Sequence, residues 1–212
     1  MKVIDLAHTI NEEITVFNEA ERPQIKQVAA VEEDGYSQIH FSMYTHNSTH
    51  IDAPYHMVEG AKTLDQLDPS RFVGKAFVAD VRSSESLIHT EDLKPCESKL
   101  EECDFIILNT GWANKWKTEA YKKDFPVLSQ EAAQWLMKFN LKGIGLDTIS
   151  IDPVDSVDVP IHKIVLGNEV LIVENLTNLE ALGDEMFTFS CLPLKFENAD
   201  GSPVRAVGMI ND

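Results

Sequence analysis

Cysteine is scarce in this chain. Cys96, Cys103 and Cys191 are odd in number and lack a C-x-x-C pairing, which fits a reducing compartment where thiols pack as small hydrophobes. Basic charge is short as well: 18 Lys and Arg stand against 35 Asp and Glu, a formal net charge of −17. Nucleic-acid binding rests on neutralising phosphates, and attachment to anionic membranes rests on basic clusters, so neither partner is expected. No run approaches the roughly 18 apolar residues of a membrane-spanning helix. The opening MKVIDLAHTI has neither the apolar core nor the small-residue cleavage site of a secretory signal. A cytoplasmic protein is therefore expected. No internal repeat, low-complexity tract or Pro/Gly/Ser-rich linker divides the chain, and 212 residues suit a single domain spanning 1–212.

What is present is strand-like pattern with little helix. Residues 3–10 and 24–31 read as short strands, the second followed by an acidic turn at Glu32-Glu33-Asp34-Gly35. Residues 37–45 alternate Ile39, Phe41 and Met43 against Gln38, His40 and Ser42, the period of a half-buried strand. Residues 72–81, 104–110, 143–149 and 170–173 read as further strands, the second short and apolar enough to be buried on both faces. Residues 129–139 form the best helix candidate, with Ser129 as N-cap and Ala132, Trp135, Leu136 and Phe139 at helical spacing. Pro160 suits the first turn of a short helix carrying His162. Two closing strands are expected over 185–196 and 203–210, joined by a turn at 198–201. The fold class is α/β, one mixed domain with more strand than helix.

The chemistry concentrates in residues 46–56, HNSTHIDAPYH, which hold three of the seven histidines together with Asp52. Imidazole and carboxylate are the ligand pair of zinc, manganese and iron sites. His46, His50, Asp52 and His56 share one parity, so an extended backbone would send all four from one face. A straight strand would separate the end histidines by roughly 33 Å, too far for one centre. The segment must therefore bend, at Asn47-Ser48 and Ala53-Pro54. The plain alternative is a loop of unrelated surface histidines. His8, standing alone, reads as structural, and Trp112 and Trp116 read as core packing.

The stretch resembles the HxGTHxDxPxH signature of the cyclase-like metal-dependent hydrolases, the superfamily of bacterial kynurenine formamidase and isatin hydrolase. It matches at His46, Thr49, His50, Asp52, Pro54 and His56, and departs at Ser48, where the family usually carries glycine. The segment 145–148, with Ser150-Ile151-Asp152-Pro153 behind it, resembles the family's GIDT region, and 192–196 and 201–206 resemble its C-terminal strands. By position the resemblance implies metal ligation by His46, His50 and Asp52, with Asp52 bridging to a second ion. A distant His162 and Glu174, twelve residues apart, would complete the set, and His56 would carry protons. It also implies a swivelling β/β/α (cyclase-like) fold, assembly as a homodimer or homotetramer, and an aromatic substrate contact near the N-terminus, here Phe17 in place of the usual tryptophan.

These residues suit hydrolysis of a C–N bond in a small amide, formamide or lactam. One or two divalent ions, zinc or manganese, would lower the pKa of bound water towards about 7 and polarise the carbonyl. An imidazole with an ordinary pKa of about 6.5, such as that of His56, can serve as base and then as acid. Two other readings are compatible with the same residues: a cyclase or dehydratase using the metal as a Lewis acid, and an inactive homologue that only binds metal or ligand. Asp147 reads either as an orienting partner of a ligand histidine or as a buried structural carboxylate.

Overall fold

The structure is a computed structural model and describes residues 1–210. A nine-stranded sheet runs through it in the order β1-β13-β11-β5-β7-β9-β10-β4-β12. These strands are β1 (Lys2–Asp5), β4 (His50–Asp52), β5 (Val73–Asp80), β7 (Phe105–Asn109), β9 (Gly143–Leu146), β10 (Leu171–Glu174), β11 (Phe187–Ser190), β12 (Gly201–Pro203) and β13 (Val207–Ile210). The centre, β5-β7-β9-β10, is parallel, and the flanking strands are antiparallel.

The central strands are buried on both faces, which is why they read as apolar runs rather than alternating ones. Parity still sorts them. Ile106, Leu108, Ile144, Leu146 and Ile172 join the core under the helices, whereas Phe105, Ile107, Leu171 and Val173 join the core on the opposite face. Bulk is matched across strands: Phe105 pairs with Gly143 and Ile107 with Gly145. A Cβ at Gly145 would lie 2.6 Å from Ile107 Cδ1.

The helical face is covered chiefly by α4 (Gln130–Leu136) and α5 (Pro160–Gly167), with one-turn helices α2 (Thr90–Leu93) and α3 (Glu97–Leu100) beside them. Ser129 caps α4 by accepting from the Ala132 amide, and Pro160 opens α5, both as the sequence predicts. Trp116 lies half-buried, stacked on His8 at 4.0 Å and edge-on to Tyr121, a packing role for all three.

Three expectations need correction. Residues 37–45 do contain a strand, β3 (Gln38–Ser42), but all five of its residues are exposed rather than half-buried. It pairs only with β2 (Gln24–Ala29), and the two form a ribbon linked by the one-turn helix α1 (Val31–Asp34), outside the main sheet. Alternation of period two reports a strand, and reports burial only where something covers one face. The closing strands differ too. Strand β11 pairs with β13 directly, while the turn expected at 198–201 falls at 197–198 and β12, which begins at Gly201, leaves that pair and joins β4 instead. The strand expected over 3–10 stops at Asp5, leaving an isolated bridge between Ala7 and Leu176. A two-residue parallel pair, β6 (Leu87–Ile88) with β8 (Val127–Leu128), has no counterpart in the sequence reading.

Candidate metal centre

The centre forms where β10 ends and β4 and β12 lie beside it. Glu174, the last residue of β10, faces His50 across the strand pair, and Ile172 faces Asp52. On the other side of β4, Gly201 faces Asp52 and Pro203 faces His50. Ile51 points into the opposite core, so His50 and Asp52 emerge together on the helical face, as their shared parity predicts. Helix α5 lies over that face and brings His162 down onto it. The bends that the sequence demands are present: Ser48 adopts φ 60° before β4, and Pro54–His56 form a single 3-10 turn after it.

Five of the six expected polar residues converge around Asp52. His46 Nδ1 lies 2.7 Å and His50 Nε2 3.3 Å from Asp52 Oδ1. His162 Nε2 is 3.9 Å from Asp52 Oδ2 and 3.5 Å from Glu174 Oε1, and His50 Nε2 is 3.4 Å from Glu174 Oε2. Two groups of three donors have all their ligand atoms within 4.8 Å of one another: His46, Asp52 and His56, and His50, Asp52 and Glu174. Asp52 belongs to both. The His46 and His56 rings lie 3.9 Å apart by centroid, which puts His56 at the edge of the cluster.

The surroundings set the charges. Burial alone would pull the imidazoles down, but the carboxylates outweigh it. Asp52 and Asp200 hold His46 up at about 9, Asp52 and Glu174 hold His50 up at about 10, and Asp152, Glu174 and Asp52 hold His162 up at about 10. Burial opposes ionisation of Asp52, yet His46 and His50 keep it well below the usual carboxylate range. His56 moves the other way: burial lowers it, and Asp52 offsets this only in part.

This arrangement fits a divalent cation. Asp52 Oδ2 is fully buried and lacks a hydrogen-bond partner, a costly state for a carboxylate oxygen unless a cation satisfies it. The donors are nitrogen and oxygen without thiolate, a set that suits zinc or manganese. Two histidines are also oriented as ligation would require. His50 Nδ1–H donates to the Ser48 carbonyl at 2.9 Å, and His162 Nδ1–H donates to Asp152 Oδ2 at 2.7 Å, so both Nε2 atoms turn towards the carboxylates. Asp152 also accepts the Ile161 and His162 amides, capping the start of α5 and fixing the backbone beneath His162.

A cavity of about 400 Å³ opens onto the cluster. Phe17, half exposed, stands in its wall with Tyr44, Met57, Ile149 and Val159. Asp147 makes no contact with the clustered histidines: it accepts from Thr110 and the Ala113 amide, the structural alternative. Sequence reasoning gives no role to Asp200, which lies 3.0 Å from His46 Nε2, or to Asn175, and Asp152 enters it only as part of a segment that resembles the family. Asp200 sits in an Asp-Gly turn, where a turn residue is the ordinary reading, and only the β12–β4 pairing carries it to the site.

Residues 4–153 match the sequence model of a family described as putative cyclase. The chain belongs to the cyclase family. Among relatives of the chain, the kynurenine formamidase of Bacillus cereus is 32% identical over 207 residues, covering 96% of this chain and 95% of the relative. The kynurenine formamidase of Bacillus cytotoxicus is also 32% identical, over 206 residues with the same coverage. An isatin hydrolase bound to the product analogue thioisatinate superimposes with a TM-score of 0.91 at 20% identity, over 100% of this chain and 93% of the other, a likeness of fold.

Proposed function

We propose that this cyclase-family protein is a metal-dependent hydrolase of C–N bonds in small amides, formamides or lactams. The observation that carries the reading is Asp52, shared by both donor groups with one buried oxygen unpartnered, beside a cavity of substrate size. His46, His50, Asp52, His162 and Glu174 would hold one or two ions, zinc or manganese. When bound, such an ion supplies Lewis acidity and a nucleophile at neutral pH.

The remaining work falls to the chain. Hydrolysis adds the oxygen of water to the carbonyl carbon, breaks the C–N bond and moves a proton to the leaving nitrogen. His56 stands at the cavity with its imidazole kept neutral by burial, so it can take the proton that water sheds and return it to that nitrogen. Phe17 offers an apolar face for a substrate ring. The relatives named as kynurenine formamidases make an aryl formamide the first substrate to try.

The test is metal analysis of the purified protein, then assay with N-formylkynurenine, isatin and simple cyclic amides. Protein that stays metal-free after careful reconstitution would remove the basis of the reading. His56→Ala should abolish turnover and keep metal, whereas His50→Ala should bind it far more weakly than the native protein does. If His56→Ala also empties the site, His56 is a ligand.

We further propose a cytoplasmic homodimer or homotetramer. Three unpaired thiols suit the compartment. The exposed Val28, Ile39 and Phe41 on the β2–β3 ribbon support assembly, because a two-stranded ribbon alone is marginal in water. Sedimentation at micromolar concentration as a monomer would refute the assembly.

A further inference from the structure

Asn175 follows Glu174 directly and has no assigned role. It is buried, adopts φ 58°, and spans two segments with its carboxamide. Its Nδ2 donates to the Ser48 carbonyl at 2.9 Å, and its Oδ1 accepts from the buried Tyr121 hydroxyl at 2.9 Å. The Ser48 carbonyl, which only accepts, fixes which end of the amide faces it, since the reverse orientation would set Oδ1 against that oxygen; the single Tyr121 proton is shared between Asn175 Oδ1 and the Asp147 carbonyl, at 2.9 and 3.1 Å. That same carbonyl receives His50 Nδ1–H. One oxygen therefore holds two donors, one from the ligand and one from Asn175. Nδ2 also approaches His50 Nδ1 at 3.5 Å. With Nδ1 already donating to Ser48, this contact is between two donors and is not a bond.

We propose that Asn175 is a positioning residue for His50: its amide pins the Ser48 carbonyl, which in turn holds the His50 ring with Nε2 turned to the metal site, and Tyr121 keeps the amide from rotating. This rests on the reading of His50 as a ligand. Ser48 itself adopts φ 60°, and its carbonyl accepts from both donors. A simpler role would be to fill a left-handed position, which asparagine tolerates well. The two roles separate experimentally, because the backbone of Asn175 is anchored independently of its side chain: its N–H donates to the Thr148 carbonyl and its carbonyl accepts from Thr49 Oγ1 at 2.6 Å.

The experiment is a double-mutant cycle on zinc affinity, measured by competition with a chromogenic chelator, with circular dichroism to confirm the fold. Asn175→Gly removes the carboxamide and keeps the left-handed backbone free of strain. It should weaken zinc binding by about 10- to 100-fold in the otherwise native protein and cause no further loss in the His50→Ala background. Tyr121→Phe should shift affinity in the same direction by less, and it decides the matter if Asn175→Gly does not fold. In cobalt-loaded protein, Asn175→Gly should also shift the visible bands. Native zinc affinity in Asn175→Gly, or an equal loss in both backgrounds, overturns the proposal. His50→Ala with native affinity would instead overturn the ligand reading, and this inference with it.

Discussion

Replacing Gly201 by alanine is a sharp perturbation of the site, because the added atom has nowhere to go. A Cβ there would lie 2.5 Å from His46 Cε1, 2.8 Å from Nε2 and 3.0 Å from Nδ1. Carbon atoms pack at about 3.5–4.0 Å, so the ring must retreat by roughly 1 Å or β12 must part from β4. Retreat is blocked by the His56 ring at 3.9 Å and by the bonds of His46 to Asp52 and Asp200, at 2.7 and 3.0 Å. Overpacking of this kind costs about 1–3 kcal/mol, which for a chain of this size lowers Tm by roughly 2–12 °C. If His46 ligates the metal as proposed, its displacement by about 1 Å should cost on the order of 100-fold in kcat/KM. Zinc affinity, Tm and turnover, read on the same preparation, check all three. Gly167→Ala is the control: it lies at the end of α5 with nothing within 4 Å of its Cβ. It should gain about 0.4–1 kcal/mol and leave zinc affinity unchanged. Native zinc affinity and rate in Gly201→Ala would refute the account of how His46 is seated.

Ser48→Gly should stabilise the protein by about 0.5–1 kcal/mol in urea unfolding, because a side chain at φ 60° is strained and glycine is not; a clear loss of stability would show that the serine hydroxyl matters more. The acid limb of kcat/KM should have its midpoint below 6.5, since burial lowers His56 and a base must be unprotonated to act; a midpoint above 6.5 would remove His56 from that role. Zinc at about 100 times its Kd should raise unfolding stability by about 2.7 kcal/mol over chelator-treated protein, and an unchanged Tm would mean that the donor groups do not bind it.

The site was legible in the sequence to the extent that it is local. His46, His50, Asp52 and His56 carry their relation in parity and spacing, and Asp52 does emerge beside His50 on one face. His162 and Glu174 were reachable only through resemblance, since a helix-start histidine and a strand-end carboxylate look ordinary alone. Asp200 and Asn175 stayed hidden because their roles depend on which strand lies beside which: Asp200 meets His46 only once β12 pairs with β4. The β2–β3 ribbon misled for a related reason. Ile39 and Phe41 alternate as they would above a core, and the pattern carries no record of whether that face is covered. Ser48 is a case the sequence posed and the structure answered, for the backbone there does take the conformation glycine would favour.

Strand β4 is three residues long and sits between β10 and β12, which has a consequence for how the protein is made. His50 and Asp52 leave the ribosome well before both of their neighbours in the sheet, which are encoded far downstream at residues 171–174 and 201–203. At about 5–20 residues per second, the HNSTHIDAPYH segment waits on the order of ten seconds or more as nascent chain without the strands that shape it. During that interval its imidazoles lack Asp200 and Glu174, two of the carboxylates that face them in the fold. The donor set is therefore complete only once α5 and β10 have been made, and Gly201 meets the His46 ring only when β12 pairs with β4.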